Sequence, residues 1–229
     1  PKIIHKEPDV SIKVIREHLN STFKKVLIDK KSQHDEVKEY VKETSPEILD
    51  IVDFYDDQLG LFERYHIEDQ IKKALDRKVW LPSGGHLIID RTEALTVIDV
   101  NTGKFVGKNS LEETVYENNL EAAEEIARQL RLRDIGGIIV IDFIDMESTK
   151  KQQSLLNRFK QELAKDKTRT QVFEISRLGL VEMTRKNVAA GLVESFSEEC
   201  ENCNGRGLII NDIFSNKSIE EGLIESEAV

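Results

Sequence analysis

Two short, β-branched runs that each carry an aspartate near their end, with a long amphipathic stretch between them, limit this chain to a small set of folds. The first run, residues 94–103, reads Ala-Leu-Thr-Val-Ile-Asp-Val-Asn-Thr-Gly; the second, residues 136–146, reads Gly-Gly-Ile-Ile-Val-Ile-Asp-Phe-Ile-Asp-Met. Runs this apolar and this short read as strands buried on both faces, as parallel strands are. Between them, residues 110–134 place Tyr116, Leu120, Ala123, Ala127 and Leu130 at steps of four and three, along one face of a single helix. Ser110 stands in capping position, with Glu113 three residues on to complete a capping box. Strand, helix and strand at this spacing form a right-handed crossover that lays the two strands parallel in one sheet.

That topology has a chemical consequence. Asp99 falls at the exit of its strand and Asp142 near the exit of the other, so both belong to the carboxyl edge, where open α/β sheets bind ligands. Alternation along a strand puts Asn101 on the same face as Asp99. An ionised aspartate beside Ile141 and Phe143 costs several kcal/mol unless a positive charge compensates. A hard divalent cation supplies that charge when one or two carboxylates hold it and water and a substrate phosphate complete its shell. The alternative is structural, because aspartates at strand ends also cap turns and accept backbone N–H groups.

At 229 residues the chain fits one large domain or two small ones and can bury a real core. No apolar run approaches the ~20 residues a membrane helix needs, and no basic-then-apolar signal segment opens the chain. It starts at Pro1 rather than at an initiator Met, so it is expected to be a piece of a longer polypeptide. Cys200 and Cys203 are its two cysteines, which excludes a disulfide framework and sets the expectation of a cytoplasmic protein.

The net charge of −10 argues against a nucleic-acid partner only until its distribution is considered. Nine acidic and two basic residues fall between positions 194 and 229, leaving about −3 on the rest. Basic clusters survive at Arg128, Arg131 and Arg133, at Lys150 and Lys151, and at Lys165, Lys167 and Arg169. Phosphate contact depends on such local patches more than on the total, although the same residues also suit a solvated helix face.

Residues 1–78 mix helix and strand without an obvious site: helix over 10–19, strand over 25–28, helix over 32–42 capped by Ser32, strand over 51–55. Residues 61–75 read as one helix with Phe62, Ile67, Ile71, Ala74 and Leu75 inward, and His66 on it as a surface or packing histidine. Residues 79–101 read as a meander of three strands broken by the Pro82-Ser83-Gly84-Gly85 turn. His86 is a lone histidine at a strand start and carries little weight as a ligand contact. After Asn101, the segment 102–110 carries Gly103, Lys104, Gly107 and Lys108 into a helix N-terminus. That pattern suits either a phosphate-cradling loop or a flexible surface loop, and it is not a Walker motif. Ser148 caps a further helix to about Lys165 with Leu155, Leu156, Phe159 and Leu163 inward. A strand over 170–175 follows, residues 176–185 read as either a bent strand or a short turn and strand, and from Asn211 comes a polar, acidic tail.

Cys200-Glu201-Asn202-Cys203-Asn204-Gly205-Arg206-Gly207 is half of a zinc knuckle, in which two thiolates grip one metal from a tight turn. A structural zinc needs four ligands, and the last histidine is His86. Either two chains each contribute two cysteines to one shared ion, or the pair is a remnant with free thiols in a turn.

Taken together, Ile98-Asp99-Val100-Asn101, Leu111-Glu112-Glu113-Thr114, the stretch 119–134 and the stretch 136–146 resemble the catalytic core of the ribonuclease E/G family. Leu81-Pro82-Ser83-Gly84-Gly85 and residues 92–96 extend the likeness upstream, and residues 200–207 are similar to that family's zinc link. The resemblance is specific from about 79 to 207 and fainter before. It implies an α/β (α+β) fold: a partial ribonuclease H-like subdomain over 1–78, then a deoxyribonuclease I-like mixed-sheet subdomain over 79–190. A zinc link over 191–210 would follow, and the tail over 211–229 would be acidic or begin a small dimerisation region.

By the same resemblance, Asp99 and Asp142 hold a catalytic Mg²⁺, and Asn101 orients Asp99 or the ion. Lys104, Lys108 and Arg169 are the candidate RNA contacts. The implied reaction is hydrolysis of single-stranded RNA to 5′-phosphate and 3′-hydroxyl ends, in RNA processing and decay. Cys200 and Cys203 would share Zn²⁺ between chains in a homodimer, and the family assembles further into tetramers. In the family an S1-type RNA-binding domain and a pocket for a 5′-monophosphate precede the region matched here. Two other readings are therefore carried: a non-catalytic, zinc-linked oligomerisation and RNA-docking core, and a metal-dependent phosphoesterase acting on DNA, which would not use the 2′-OH.

Overall fold

The computed structural model describes residues 9–19, 23–103, 111–176, 178–203 and 205–208. The chain divides into two compact units, residues 1–72 and 73–229.

In the first unit, α1 (Val10–His18) starts at Asp9, whose carboxylate accepts the Ser11 backbone N–H at 2.9 Å. β1 (Val26–Ile28) and β2 (Val52–Phe54) pair in parallel, with α2 (Lys31–Thr44) and a 3₁₀ turn (Pro46–Ile51) between them. Ile12, Val37, Val41 and Val52 form the small core. Ser32 does not cap α2. The helix begins one residue earlier, and its N-cap position falls to Lys30, which makes no side-chain cap bond. The single helix expected over 61–75 is broken into α3 (Leu61–Arg64) and α4 (Ile67–Leu75). His66 interrupts it with a φ of +51°, which an α-helix cannot absorb. Phe62, expected inward, is consequently 57% exposed.

The second unit is built on a six-stranded mixed sheet in the order β3-β4-β5-β6-β8-β7. Its strands are β3 (Lys78–Trp80), β4 (His86–Arg91), β5 (Leu95–Asn101), β6 (Gly137–Asp142), β7 (Thr170–Ile175) and β8 (Leu180–Arg185). β3, β4 and β5 form the expected antiparallel meander. α5 (Leu111–Leu132) crosses from β5 to β6, which run parallel, and α6 (Thr149–Leu163) follows with Ser148 accepting the Lys151 N–H. Ser110, expected to cap α5, lies outside the described residues. α7 (Leu192–Phe196) closes the described helices, its Leu192 N–H bonded to the Arg133 carbonyl at 3.0 Å.

The strands are not buried on both faces. Leu87, Ile89, Ile98, Val100, Ile139, Ile141, Val181 and Met183 point to one side and meet Ala122, Ala123, Ile126, Ala127 and Leu130 of α5 and Leu155, Leu156, Phe159 and Leu163 of α6. Alternate residues point the other way, onto a face that neither helix covers: Val97, Asp99 and Asn101 are half-buried there and Ile138 is 53% exposed. The apolar composition of both sides of β5 and β6 concealed this asymmetry, since Val97, Ile138 and Val140 read as core in sequence. The architecture is thus two layers, helices on one face of a mixed sheet, which is an α+β arrangement.

The far end of the sheet is pinned by Arg185, almost wholly buried. Its guanidinium donates to Asp134 Oδ1 at 2.8 Å, Asp166 Oδ2 at 2.9 Å and the Ile135 carbonyl at 3.0 Å.

Candidate active site

Asp99 and Asp142 are direct cross-strand partners on β5 and β6. Parallel neighbours in register project paired side chains to the same face, so both carboxylates belong to the face away from the helices. With Asn101, Thr102 and the loop of Phe143, Ile144 and Asp145 they line an open depression of about 360 Å³. Asn101 donates its amide to Asp99 Oδ2 at 2.6 Å. Asp142 is exposed and takes no side-chain hydrogen bond from any described residue. Burial of its carboxyl, then the negative charges of Asp99 and Asp145, push Asp142 above the usual carboxylate range.

That combination is an under-neutralised acidic edge, of the kind that a hard cation with its own waters fits. Among the described residues no three His, Cys, Asp or Glu side chains converge closely enough to cage a metal ion by themselves. A two-carboxylate site with water and phosphate as the remaining ligands is compatible with that donor set; a closed protein cage is not.

The 143–146 loop, which lines the depression, and the 82–85 turn, which packs beside Asn101, are both held by α5. Asn119, fully buried, donates to the Ile144 carbonyl at 2.8 Å and accepts the Ile144 N–H at 3.1 Å. This two-point grip fixes the 143–146 loop and with it Asp145. Ser83 N–H bonds Glu121 Oε2 at 3.1 Å, which seats the 82–85 turn on the same helix. Gly85 is required at that contact: a Cβ there would stand 2.2 Å from Asn118 Oδ1 and 2.8 Å from the Asn101 carbonyl. Asn118, Asn119 and Asp145 were not singled out as site residues from sequence. The available signal was two adjacent asparagines at buried positions of a helix, where their propensity is poor.

The other candidates fall in different places. His86 pairs with Asn101 across β4 and β5, so it lies on the open face beside the carboxylates. Arg169 is exposed just before β7, where Thr170 is opposite Arg185 and Arg185 opposite Gly137. It therefore stands at the end of the sheet away from Asp142, and the fold does not bring it to the pair. Lys104 and Lys108 lie outside the described residues. Cys200 and Cys203 share a turn in which the Cys203 N–H bonds the Cys200 carbonyl at 3.3 Å and the Gly207 N–H points at Cys203 Sγ at 3.4 Å. Backbone N–H groups of Asn202 and Cys203 lower the Cys200 thiol below its ordinary value.

A crossover unit whose parallel strands pair two aspartates near their ends over an open depression defines the class: an α+β protein with an acidic edge open to solvent. The ribonuclease E/G family model matches residues 1–188, and the chain belongs to that family. It is 42% identical to ribonuclease E of Haemophilus influenzae across its whole length, which is 24% of that protein. It is 43% identical to ribonuclease G of the same organism over 90% of the chain and 42% of that protein. Ribonuclease E of Escherichia coli K12 is 40% identical, again over the whole chain and 22% of that protein. The chain thus spans about a quarter of the ribonuclease E relatives and about two fifths of the ribonuclease G relative.

Proposed function

We propose that this chain is the catalytic portion of an endoribonuclease that hydrolyses single-stranded RNA with Mg²⁺, leaving 5′-phosphate and 3′-hydroxyl ends, in RNA processing and decay. The observation that carries the reading is the in-register pairing of Asp99 with Asp142 on an open sheet face, where mutual repulsion and partial burial leave negative charge uncompensated. Asp99 and Asp142 hold the ion, and it supplies neutralisation of the scissile phosphate and an acidified water. Asn101 restrains Asp99 through its amide, so that one carboxylate oxygen is fixed in direction. Asp145 adds field without ligation, Lys104 and Lys108 are assigned to backbone phosphates, and Arg169, at the end of the sheet away from Asp142, is assigned to a phosphate remote from the scissile one. Residues 1–78 are read as the later part of a ribonuclease H-like subdomain and 79–190 as the deoxyribonuclease I-like one. Among the described residues no helix is long and apolar enough to cross a membrane; a cytoplasmic location is part of the proposal.

The test is cleavage of an end-labelled single-stranded RNA with Mg²⁺ by the parent chain, Asp99→Asn and Asp142→Asn. Loss of at least ~100-fold in each variant is expected, as for removal of a metal ligand's charge from a phosphoryl-transfer site. Equal residual cleavage in all three rejects the assignment, and equal cleavage of a single-stranded DNA of the same sequence points to the phosphoesterase alternative.

A second reading concerns assembly. The Cys200–Cys203 turn, with a backbone N–H directed at Cys203 Sγ and a lowered Cys200 thiol, supports a zinc-binding half-site. Two chains would complete one tetrahedral ion and form a homodimer, which in turn would pair into a tetramer. This linkage is compatible with catalysis and also stands alone as the oligomerisation and RNA-docking alternative.

A further inference from the structure

We propose that Trp80 and His86 form a nucleobase-stacking subsite on the open sheet face, seating an unpaired base of single-stranded RNA beside the carboxylate pair. The identity of the ligand rests on the nuclease reading; the geometry of the subsite does not.

Trp80 is the only tryptophan of the chain and is 65% exposed although it sits within β3. An indole so placed contributes little to a core, and large aromatic surface left open on a sheet marks an interaction site. Strand register fixes where it lies. Trp80 pairs with His86 and His86 with Asn101, a row running directly onto the candidate site. The next row along the strands runs Lys78, Ile88, Asp99, Asp142. Two strand spacings sideways and one side-chain repeat along the strand put Trp80 ~12 Å from Asp99, within reach of a neighbouring nucleotide of the same strand.

The local chemistry matches a base with its phosphate. The Trp80 and His86 rings lie 5.4 Å apart, tilted by 53°, and form an angled aromatic step rather than a closed stack. Burial, and then the charge of Lys78, hold His86 below its ordinary value, partly offset by Asp99. Its Nδ1 is buried and has no hydrogen-bond partner among the described residues. Lys78 Nζ lies over one face of the indole, 4.0 Å from its centroid, so a base stacking on that face displaces the ammonium toward the phosphate of the stacked nucleotide. Every base offers a π-face, so the platform selects unpaired strands over duplexes and tolerates sequence.

Because Trp80 is the sole tryptophan, its intrinsic fluorescence reads the subsite directly. A short oligoadenylate RNA is titrated into the chain carrying Asp142→Asn, which leaves the RNA uncleaved. Saturable quenching is expected with the single strand and not with the same RNA as a duplex. Trp80→Ala is expected to weaken binding of labelled oligoadenylate about tenfold by anisotropy, with Trp80→Phe recovering most of it. In cleavage assays on the Asp142 parent, Trp80→Ala raises KM by more than it lowers kcat. The proposal is overturned by absence of quenching at any RNA concentration, by equal quenching with duplex, or by Trp80→Ala binding as tightly as the parent. A fall in native mass caused by Trp80→Ala also overturns it, since that assigns the ring to a second copy of the chain. Single-strand quenching that persists while Asp99→Asn cleaves like the parent sinks the nuclease reading alone. Loss of cleavage in Asp99→Asn with no effect of Trp80→Ala sinks the subsite alone.

Discussion

Asp99 and Asp142 face outward side by side on the one parallel strand pair found among the described strands of the six-stranded sheet, with the Asn101 amide bonded to the first carboxylate and no described side chain bonded to the second. The asymmetry makes Asp142 the member whose charge is poorly tolerated, and burial, Asp99 and Asp145 together raise its pKa. A carboxyl raised in the folded state favours folding below the ordinary carboxylate range, and that contribution is lost as pH rises through the raised value. At neutral pH without divalent cation the parent therefore carries a repulsion that Asp142→Asn removes. Asp142→Asn is expected to melt a few degrees higher, a gain held below about 1 kcal/mol by solvent screening of so exposed a group. Added Mg²⁺ should narrow the gap by stabilising the parent, and acidification should erase it. Thermal melts across pH, with and without Mg²⁺, check this; a parent that outlasts Asp142→Asn at neutral pH would show the pair to be structural.

Asn119 holds both the N–H and the carbonyl of Ile144 from a fully buried position. Asn119→Ala leaves two backbone groups without their partner, and a loss of about 2–3 kcal/mol is expected in denaturant unfolding. The effect should extend to the 143–146 loop in the folded state, with faster hydrogen exchange at the Ile144 amide and a fall in cleavage at temperatures where the variant is still folded. Asn119→Asp keeps the acceptor for the Ile144 N–H but sets an anion against its carbonyl, so it should not rescue. Wild-type exchange at Ile144 in Asn119→Ala would show that the loop is held by other means.

The crossover, the meander and the inner stripe of α6 were legible because each rests on local periodicity: Leu155, Leu156, Phe159 and Leu163 are all buried as their spacing requires. Asp99 and Asn101 were placed on one face by strand alternation alone, and the bond between them follows. What was not legible depends on tertiary partners. Whether β5 and β6 were covered on one face or two turned on where α6 would pack, and Val97 and Ile138 carry no mark of it. The break at His66 is a single left-handed residue in an otherwise helical pattern. Asp145 read as strand continuation because Phe143 and Ile144 are apolar, whereas the Asn119 amide takes over the Ile144 backbone bonds and the strand stops at Asp142.

Asp166 and Arg185 carry an acid-sensitive contact at the opposite end of the sheet. Burial alone would raise the Asp166 carboxyl, but the Thr168 N–H and the Arg185 guanidinium outweigh it and hold the group below its ordinary value. A depressed carboxyl stabilises the fold above the unfolded pKa and loses that contribution as pH falls through the folded value. Asp166→Asn should therefore cost about 2–4 kcal/mol at neutral pH, because it leaves the buried Arg185 with less compensating charge. The difference from the parent should shrink steadily below the ordinary carboxylate range, where the parent's Asp166 also protonates. Urea unfolding at a series of pH values checks it, and a pH-independent difference would locate the effect in packing.

Cys200 and Cys203 present two sulfur ligands from one turn, and tetrahedral zinc requires four. If two chains complete the ion, metal analysis should give one zinc per two chains, and native mass should be that of an even-numbered assembly. Backbone N–H groups of Asn202 and Cys203 lower the Cys200 thiol, so thiolate for the metal is available below the pH at which an ordinary cysteine ionises. Proton competition should consequently release zinc only in mild acid, and dissociation should follow the zinc rather than unfolding of the sheet. Cys200→Ser with Cys203→Ser, or a chelator added to the parent, is expected to give a smaller species by light scattering while the β-sheet circular dichroism persists. One zinc bound per chain, or an unchanged mass after both cysteines are replaced, would refute the shared ion and leave the turn as a self-contained loop.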